Sequence, residues 1–455
     1  MDIVVAPGGT LGGVTVVPGD KSIAHRWLIL AATASGRSRL VGLPPSLDVR
    51  STAECLAAVT EKARPPLDVF ARKTAPGVDS AGSTWNAKPD ATSRSSLEVE
   101  GQGRSGLVEP TAALDCGNSG TTMRLLSGVF AAARFEATLT GDPSLSRRPM
   151  ERVAEPLRAM GASIRTEDGH APVVVRGTRL RGIRYAPIVP TAQVKSAVLL
   201  AGVAAEGETT VMEPVATRDH TERSLAALGA PIVVDADGIH VRRYQHEGFD
   251  AQVPGDPSSA AFLIAAAAIT GSALSIEEVG LNPTRLHFLD VMDRMGIRTT
   301  CSIERTELGE PVGSIVVEPG AEIRAVRVEP GELPLIIDEV PVLAALAAHA
   351  SSDSWFLEAA ELRLKESDRL QAVATGIRLL GGVAADEGAD LVIGGGGFDG
   401  GRADAHGDHR MAMALTVAAL GARTPSRIDG VDAADVSFPG FIESLRALGA
   451  PLEPA

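Results

Sequence analysis

Val17-Pro18-Gly19-Asp20 occurs a second time as Val253-Pro254-Gly255-Asp256, and each copy stands directly before a helix-like run of small apolar residues. The run after the first copy is KSIAHRWLILAATASG, and the run after the second is PSSAAFLIAAAAITG. The two copies are separated by slightly more than half of the 455-residue chain. A motif that is repeated together with its following helix at this distance indicates two halves with one architecture.

A shorter repeat marks the ends of predicted helices. Its five copies are Met160-Gly161-Ala162, Leu228-Gly229-Ala230, Met295-Gly296-Ile297, Leu380-Gly381-Gly382 and Leu448-Gly449-Ala450. The central glycine is typical of the left-handed residue that closes a helix before a strand. Four of the strands expected to follow begin within ASIRT, PIVVD, IRTTC and VAADE. We interpret the pattern as six strand–helix–strand–helix–strand units, three in each half.

These repeats predict an α/β (α+β) protein of two similar domains. Linkers at Pro18-Gly19 and Pro254-Gly255 are expected to cross between the domains, so that the N-terminal strand joins the C-terminal half. The first domain then comprises residues 1–19 and 253–455, and the second comprises residues 20–252. Inside the second domain, a stretch rich in Ala, Ser, Pro and Gly without periodicity predicts a flexible excursion at 72–96.

The composition excludes several classes of protein. The formal net charge is −14, so no overall positive field attracts nucleic acid or an anionic membrane, and an anionic ligand must be held by a local cluster of cations. The three cysteines, Cys55, Cys116 and Cys301, lack the paired spacing of a disulfide framework or a zinc site. The N-terminus does not resemble a secretory signal, and the longest apolar run, 260–269, is about half of a membrane span. We therefore expect a cytoplasmic protein.

Cations stand at the starts of several predicted helices. Lys21 and Ser22 lie in the first turn of the first helix, and Arg26 is one turn further along the same face as Ser22. Free backbone N–H groups, the positive end of the helix and two cations together can bind an anion. Taken alone, the segment also fits a solvated surface helix, and it is not a Walker loop because GDKS lacks the adjacent Gly-Lys pair.

Three more segments have the same character. The small-residue turn GNSGTTMR at 117–124 allows close approach of a ligand to the backbone and offers caps and donors. Ser146-Arg147-Arg148-Pro149 and Thr191-Ala192-Gln193-Val194-Lys195 each precede or open another helix. The first of these segments is equally compatible with an ordinary capped helix entry, and a buried Gln at a helix start is more often structural than functional.

Acidic residues accompany cations in the C-terminal half. Lys365 and Arg369 share a helical face with Glu366 beside them, and such an acid can stay charged or pass a proton next to an anion. Asp408 is a predicted N-cap of the helix that continues through Arg410. Asp338 and Glu339 precede the apolar helix VLAALAA, and burial beside such a helix is expected to raise a carboxylate pKa toward that of a base.

Taken in order, these segments resemble the enolpyruvyl transferase family. The resemblance covers nearly the whole chain, through PGDKSIAHR, LDCGNSGTTMRLL, LTGDPSLSRRPM, AQVKSAVLLAG, TRDHTE, IDEVP, LRLKESDRL, GDHRMAM and SFPGF. It implies two domains of three βαβαββ units each, an inside-out α/β barrel, joined by two crossover strands. It implies transfer of the enolpyruvyl group of phosphoenolpyruvate to the 5-hydroxyl of shikimate 3-phosphate, a step of aromatic amino acid biosynthesis, without a metal or organic cofactor.

The resemblance also implies roles for individual residues. Asp338 is the expected base for the attacking hydroxyl, Glu366 is expected to move protons at the enolpyruvyl methylene, and Lys21 is expected to assist at the bridging oxygen. The expected shikimate 3-phosphate site comprises Lys21, Ser22, Arg26, Thr191, Gln193, Arg218, Asp338 and Lys365. The expected phosphoenolpyruvate site comprises Lys21, Asn118, Gly120, Arg148, Gln193, Arg369 and Arg410.

Some positions depart from the pattern of the family. Thr191-Ala192 stands where many members have Ser-Ser, Glu361 where some have Asn, and Val436 where some have Lys, so contacts from these positions are left open. Gly120 keeps room for glyphosate beside Asn118, which implies inhibition that competes with phosphoenolpyruvate. The expected partners are the small anionic substrates alone, with no nucleic acid or membrane, and the protein is expected to be a monomer.

Two other functions compete with this interpretation. The sister enzyme that acts on UDP-N-acetylglucosamine begins with Lys-Asn and uses a loop cysteine, whereas this chain has Lys21-Ser22 and no cysteine in GDPSLSRRP. A catalytically inactive ligand-binding protein of the same fold is the other alternative. The retained charges at Lys21, Asp338 and Glu366 argue against it, because unpaired charges are costly to bury.

Overall fold

The computed structural model describes residues 1–60, 96–320 and 322–455. The excursion predicted at 72–96 lies outside these residues, except that Ser96 begins a strand. The strands are β1 Ile3–Val5, β2 Val14–Val16, β3 Ser35–Val41, β4 Ser96–Gln102, β5 Leu114–Asp115, β6 Glu136–Thr140, β7 Ser163–Glu167, β8 His170–Arg176, β9 Arg184–Tyr185, β10 Glu208–Val211, β11 Ile232–Asp235, β12 Gly238–Arg242, β13 Asp250–Gln252, β14 Leu274–Gly280, β15 Thr299–Glu307, β16 Glu310–Val317, β17 Arg327–Val328, β18 Ser354–Phe356, β19 Ala384–Glu387, β20 Asp390–Ile393, β21 Arg402–Asp404, β22 Ser426–Asp429 and β23 Leu452–Pro454.

The helices begin and end as follows: α1 Lys21–Thr33, α2 Leu47–Ala58, α3 Gly120–Phe130, α4 Glu151–Ala159, α5 Ala192–Gly202, α6 His220–Ala227, α7 Pro257–Ile269, α8 His287–Arg294, α9 Leu333–Ile336, α10 Val340–Ala347, α11 Arg369–Leu379, α12 His409–Ala419 and α13 Phe441–Ala447. Short 3₁₀ turns occupy Arg104–Gly106, Leu145–Arg147, Pro283–Arg285, Ala359–Leu364 and Val431–Val436. Within the described parts of the chain, no helix is both long enough and apolar enough to span a bilayer.

The described strands form six small sheets that follow one scheme. In each sheet an edge strand runs parallel to its neighbour, and the remaining pairs are antiparallel. Parallel neighbours need a crossover connection, which a helix usually supplies. The predicted α/β class and the repeated βαβαββ unit are therefore confirmed. The sheet orders are β13-β3-β4, β5-β6-β8-β7, β9-β10-β12-β11, β2-β14-β16-β15, β17-β18-β20-β19 and β21-β22-β1-β23.

Two edge strands are exchanged between the halves of the chain. β2 precedes α1 in the sequence but pairs with β14, which follows α7, whereas β13 precedes α7 but pairs with β3, which follows α1. The chain crosses itself between these strands, where Gly19 and Gly255 form an antiparallel bridge. The crossing leaves no room for a side chain at Gly19, because a Cβ there would lie 2.2 Å from the carbonyl oxygen of Gly42.

The buried apolar side chains described form two clusters. One is built from residues between 3 and 17 together with residues between 260 and 452, and the other from residues between 23 and 253. The N-terminal strand β1 lies between β22 and β23, inside a sheet of the first cluster. The domain boundaries after residues 19 and 252 stay a prediction, which this division of the cores supports.

Small residues replace aromatic ones in these cores. Residues 257–268 of α7 are all buried, and six of these twelve residues are alanine. Helices α3 and α5 approach so closely that a Cβ on Gly128 would lie 2.3 Å from the carbonyl oxygen of Ala197. Small side chains allow the helices to pack closely. The cores are therefore filled although only 3% of the residues in the chain are aromatic.

The predicted helix ends are confirmed. The five repeated glycines all have φ between +84° and +109°, the left-handed region. In each case the next N–H donates to a carbonyl five residues earlier, as Ala162 does to Leu157. This is the Schellman geometry, which satisfies the last carbonyls of the helix. The strands predicted within ASIRT, PIVVD, IRTTC and VAADE are β7, β11, β15 and β19.

Candidate active site

A cavity of about 430 Å³ opens between the two core clusters. Residues from both halves of the chain line it, so the wall is completed only when the two halves meet. Most of the residues predicted for the site line this cavity, namely Lys21, Ser22, Gly120, Arg148, Thr191, Gln193, Arg218, Asp338, Lys365, Glu366 and Arg410. The structure thus brings together side chains that are dispersed over nearly four hundred residues of sequence.

Several helices point their N-terminal ends at the cavity. Lys21, Gly120 and Ala192 line it and are the first residues of α1, α3 and α5. Side chains cap two of these ends, since Asp20 accepts a hydrogen bond from Ile23 N at 2.9 Å and Ser119 accepts one from Thr122 N at 3.1 Å. Converging N-termini give the cavity a positive potential from the backbone alone.

Asp338 is surrounded by cations. Its Oδ2 lies 2.6 Å from Arg218 Nη2 and 3.8 Å from Arg410 Nη2, and its Oδ1 lies 3.7 Å from Lys365 Nζ and 3.8 Å from Arg369 Nη1. Burial alone raises the pKa of this carboxyl, but the four cations outweigh burial and hold its pKa well below the usual range. The expectation that burial here raises a carboxylate pKa toward that of a base is therefore wrong for Asp338. It is confirmed for the neighbouring Glu339, whose pKa is raised by burial. The sequence showed the apolar helix but not the cations that reach Asp338 from other segments.

Glu366 is ionised for the same reason. Its Oε2 lies 2.7 Å from Arg369 Nη2. Burial raises the pKa of Glu366, whereas Arg369, His409, Arg148 and Lys21 lower it, and the net result is a pKa well below the usual range. Asp338 and Glu366 are thus both deprotonated. The described residues that line the cavity include eight cations and six carboxylates, the other four being Asp48, Asp256, Glu358 and Glu361.

Lys21 is paired in this state. Its Nζ donates to Asp48 Oδ2 at 2.7 Å, and both side chains are largely buried. Burial raises the pKa of Asp48 and Lys21 lowers it, with a net lowering. Asp48 is a residue that the sequence analysis missed, and the available signal was its position in the first turn of α2.

Arg26 and Arg369 lie behind the cavity wall. Arg26 is 3% exposed, and its guanidinium donates to Thr221 Oγ1, Ser196 Oγ and the carbonyl oxygen of Ser22 at 2.8–2.9 Å. Arg369 is 1% exposed and is held by Asp408, with Nε 2.9 Å from Oδ2. Their predicted substrate contacts stay predictions.

Asn118 lines a second cavity, of about 550 Å³, on the far side of Asp48, Glu366 and His409. It accepts a hydrogen bond from Arg148 Nη2 at 2.5 Å and donates to Asp142 Oδ2 at 2.7 Å, so it orients Arg148 from behind. Of the three positions left open in the sequence, Thr191 and Glu361 line the main cavity and Val436 lines the second one.

The main cavity also contains cations that were not predicted. Arg124 belongs to the GNSGTTMR segment, and it donates to Gln193 and to the carbonyl oxygen of Pro149. Arg152 pairs with Glu361 at 2.9 Å, and Arg285 also lines the cavity. Neither Arg152 nor Arg285 stands in a recognisable motif, so nothing local in the sequence marked them.

His409 lines both cavities. It lies in the segment GDHRMAM, but the sequence analysis predicted no role for it. Burial, together with the nearby charges of Lys21 and Arg369, lowers its pKa to about 3. Its Nε2 is buried without a hydrogen-bond partner. In the described residues, no three His, Cys, Asp or Glu side chains come together in a way that could hold a metal ion.

A buried histidine under the site gives a testable dependence of stability on pH. His25 on α1 is fully buried, with Nδ1 2.6 Å from Thr52 Oγ1, and burial lowers its pKa to about 3. Because the unfolded chain binds this proton near pH 6.5 and the folded chain does not, stability falls as the pH falls from 6.5 toward 3. We expect His25→Gln to lessen this slope by about 1.4 kcal/mol per pH unit. Urea unfolding between pH 6 and 4 measures it, and a variant whose slope parallels that of the unsubstituted protein contradicts the assignment.

Comparison with known proteins identifies the family. The family model described as EPSP synthase (3-phosphoshikimate 1-carboxyvinyltransferase) matches residues 5–66 and 86–445. The chain belongs to the EPSP synthase family. The 3-phosphoshikimate 1-carboxyvinyltransferase of Acaryochloris marina is 41% identical over 453 residues, covering 98% of this chain and 96% of that protein.

Two further members of the EPSP synthase family support the same conclusion. The 3-phosphoshikimate 1-carboxyvinyltransferase of Methylococcus capsulatus is 44% identical over 451 residues, covering 98% of this chain and 97% of that protein. A solved structure of EPSP synthase from Acinetobacter baumannii has a TM-score of 0.82 and 37% identity, and covers 99% of each chain. The predicted family, two-domain fold and enzyme class are confirmed.

Proposed function

We propose that this protein transfers the enolpyruvyl group of phosphoenolpyruvate to the 5-hydroxyl of shikimate 3-phosphate, giving 5-enolpyruvylshikimate 3-phosphate and phosphate. Membership of the EPSP synthase family gives the reaction class, which belongs to aromatic amino acid biosynthesis. The observation that carries the proposal is the cavity between the two cores, where cations from both halves of an acidic chain converge. Cytoplasmic location and the monomeric state stay predictions.

The charges of the cavity suit this pair of substrates. Shikimate 3-phosphate and phosphoenolpyruvate together bring two phosphates and two carboxylates, which repel one another in water and need several cations to share one site. We assign shikimate 3-phosphate to Lys21, Ser22, Arg26, Thr191, Gln193, Arg218, Asp338 and Lys365. We assign phosphoenolpyruvate to Lys21, Asn118, Gly120, Arg148, Gln193, Arg369 and Arg410.

Substrate binding would change the partners of these cations. Without substrates, Arg218 and Lys365 face Asp338 and depress its pKa. When a phosphate takes over part of their charge, Asp338 regains basicity and can accept the proton of the 5-hydroxyl as its oxygen attacks C2 of phosphoenolpyruvate. The same exchange explains why a carboxylate with such a low pKa in the free protein can serve as a base.

Protons at the methylene are assigned to Glu366. Addition of the hydroxyl across the double bond requires a proton at C3, and elimination of phosphate from the tetrahedral intermediate requires its removal. Two incoming anions raise the pKa of Glu366, because Arg148 and Lys21 then face phosphate and carboxylate oxygens instead. Glu366 therefore takes up a proton on substrate binding and delivers it to C3, while Lys21 neutralises the oxygen that bridges to phosphorus.

Phosphate release tests the proposed function. The protein should release phosphate from phosphoenolpyruvate only when shikimate 3-phosphate is present, and the product should carry the enolpyruvyl group at the 5-oxygen. Mass spectrometry of the product and a coupled phosphate assay measure both. Phosphate release that depends on UDP-N-acetylglucosamine instead would indicate the reaction of the sister enzyme. Binding of either substrate without phosphate release would indicate an inactive binding protein.

Glyphosate should inhibit in competition with phosphoenolpyruvate. A Cβ added to Gly120 would lie 3.0 Å from Arg124 Nη1 and 3.4 Å from Arg148 Nη1, so the glycine keeps space next to two guanidinium groups. We expect Gly120→Ala to raise the inhibition constant of glyphosate at least about tenfold, and by more than it raises the KM for phosphoenolpyruvate. Initial rates at several concentrations of both compounds measure this. Unchanged activity of the unsubstituted protein at high glyphosate and low phosphoenolpyruvate would contradict it.

A further inference from the structure

Arg285 stands at the crossing of the two repeated motifs. It ends the short turn Pro283–Arg285 that follows β14, and it is 3% exposed. Its Nη1 donates to Asp20 Oδ2 at 2.6 Å, and its Nη2 donates to Asp256 Oδ1 at 2.9 Å. One guanidinium thus holds the last residue of both copies of Val-Pro-Gly-Asp.

Both aspartates are helix caps. Asp20 Oδ1 accepts from Ile23 N at 2.9 Å at the start of α1, and Asp256 Oδ1 accepts from Ser258 N at 2.8 Å at the start of α7. These helices belong to different core clusters. Arg285 therefore fixes the N-terminal ends of two helices, one from each half, and the first of them begins with Lys21.

A third helix is reached through one hydroxyl. Arg285 Nη2 donates to Ser258 Oγ at 2.8 Å, and Ser258 Oγ in turn donates to Glu339 Oε1. Glu339 is buried, is the N-cap of α10 and follows Asp338 directly in the chain. Hydrogen bonds thus connect Arg285 directly to Asp20, the residue before Lys21. Through Ser258 they connect it to Glu339, the residue after Asp338.

The ion pairs of Arg285 suit a structural role rather than substrate binding. Burial lowers the pKa of Arg285, but Asp20, Asp256, Glu339 and Asp338 outweigh burial and raise it, so the charge is fully committed to carboxylates of the protein. A guanidinium is a planar fork that can bind two carboxylates and a hydroxyl at once in fixed directions, whereas an ammonium is a point charge without that geometry.

We propose that Arg285 is a positioning residue, which sets the distance between Lys21 and Asp338 across the two halves of the cavity. The proposal rests on the proposed function, because it assumes that both residues act on one pair of substrates. A displacement of about 1 Å between reacting groups lowers the rate by about a hundredfold. The role predicts a loss in kcat rather than in substrate affinity, because the residues that touch substrate all remain.

The test compares Arg285→Lys with a matched substitution elsewhere. Arg104 is a half-buried arginine that donates to the carbonyl oxygens of Val203 and Tyr244, outside both cavities. We expect Arg285→Lys to lower kcat by on the order of a hundredfold, with both KM values within about threefold of those of the unsubstituted protein. Arg104→Lys should keep kcat within about twofold, even if its melting temperature falls equally.

Ser258→Ala keeps the test decisive if Arg285→Lys does not fold. It removes only the hydroxyl between Arg285 and Glu339 and leaves the backbone N–H that Asp256 accepts from. We expect kcat about tenfold lower with KM values unchanged, and Ser258→Thr should restore most of kcat. Folded Arg285→Lys with kcat within about threefold, or Ser258→Ala with unchanged kcat, overturns the proposal. Absence of turnover by the unsubstituted protein in the same assay would instead contradict the proposed function.

Discussion

Replacing Asp338 by asparagine will lower kcat by about a thousandfold and will leave the KM for shikimate 3-phosphate unchanged or lower. The carboxylate is proposed to take the proton of the 5-hydroxyl, and an amide cannot. The same carboxylate neutralises Arg218, Lys365 and Arg410 in the free protein. Its removal takes a negative charge away from these cations, which favours binding of an anionic substrate. Loss of turnover together with retained or tighter binding is therefore the expected signature.

The control is a carboxylate in a comparable ion pair outside the cavities. Asp386 pairs with Arg363 at 3.3 Å and lines neither cavity. Asp386→Asn should leave kcat within about twofold of the unsubstituted protein. Steady-state kinetics with both substrates and calorimetric titration with shikimate 3-phosphate measure the two quantities. If Asp338→Asn turns over at the rate of the unsubstituted protein, another group is the base.

Replacing Glu366 by glutamine will slow proton exchange at the enolpyruvyl methylene by on the order of a hundredfold or more. In deuterated water, reversible protonation of C3 incorporates deuterium into phosphoenolpyruvate when shikimate 3-phosphate is present, and mass spectrometry counts it. The glutamine keeps the shape of the side chain but cannot carry the proton. Substrate binding should not weaken, because the removed carboxylate charge repels the anionic substrates.

The low pKa of Glu366 in the free protein also leads us to expect proton uptake on substrate binding. Arg369, His409, Arg148 and Lys21 hold its pKa well below the usual range in the free protein, so it is ionised at pH 7. Bound anions raise that pKa, so formation of the substrate complex should take up a proton from solution. Calorimetry in two buffers of different ionisation enthalpy measures the uptake. It should be present in the unsubstituted protein and in Asp386→Asn, and absent in Glu366→Gln. Equal uptake in Glu366→Gln would assign the proton to another group.

Much of the architecture could be predicted from short patterns because their causes are local. A glycine at the end of a helix adopts the left-handed conformation for steric reasons that involve only its neighbours, so the five helix ends were predictable from residues such as Gly161 and Gly229. Asp408 was predictable as an N-cap for the same reason, and its Oδ1 does accept from Arg410 N at 2.9 Å. The repeated Val-Pro-Gly-Asp predicted the crossing between the halves, because two identical segments before similar helices are expected to make equivalent connections.

The electrostatics of the site could not be predicted in this way. The pKa of Asp338 depends on cations that come from positions 218, 365, 369 and 410, and their distances to its oxygens follow only from the folded chain. Arg285 and Asp48 were missed because each acquires its role from a partner far away in the sequence. Arg26 was identified, but whether its guanidinium faces the cavity or Thr221 depends on side-chain packing that a helical spacing does not determine.

The exchange of β2 and β13 makes the two halves unequal as fragments. A fragment of residues 20–252 contains every described strand of its three sheets, whereas a fragment of residues 253–455 lacks β2 and the inner strand β1. A split protein should therefore reassemble only when residues 1–19 accompany the C-terminal piece. The chain termini are adjacent, because Ala455 N donates to the carbonyl oxygen of Asp2 at 3.1 Å. A circular permutant that begins at Asp20 and ends at Gly19 would carry each half as one uninterrupted segment, with a single covalent link in place of two.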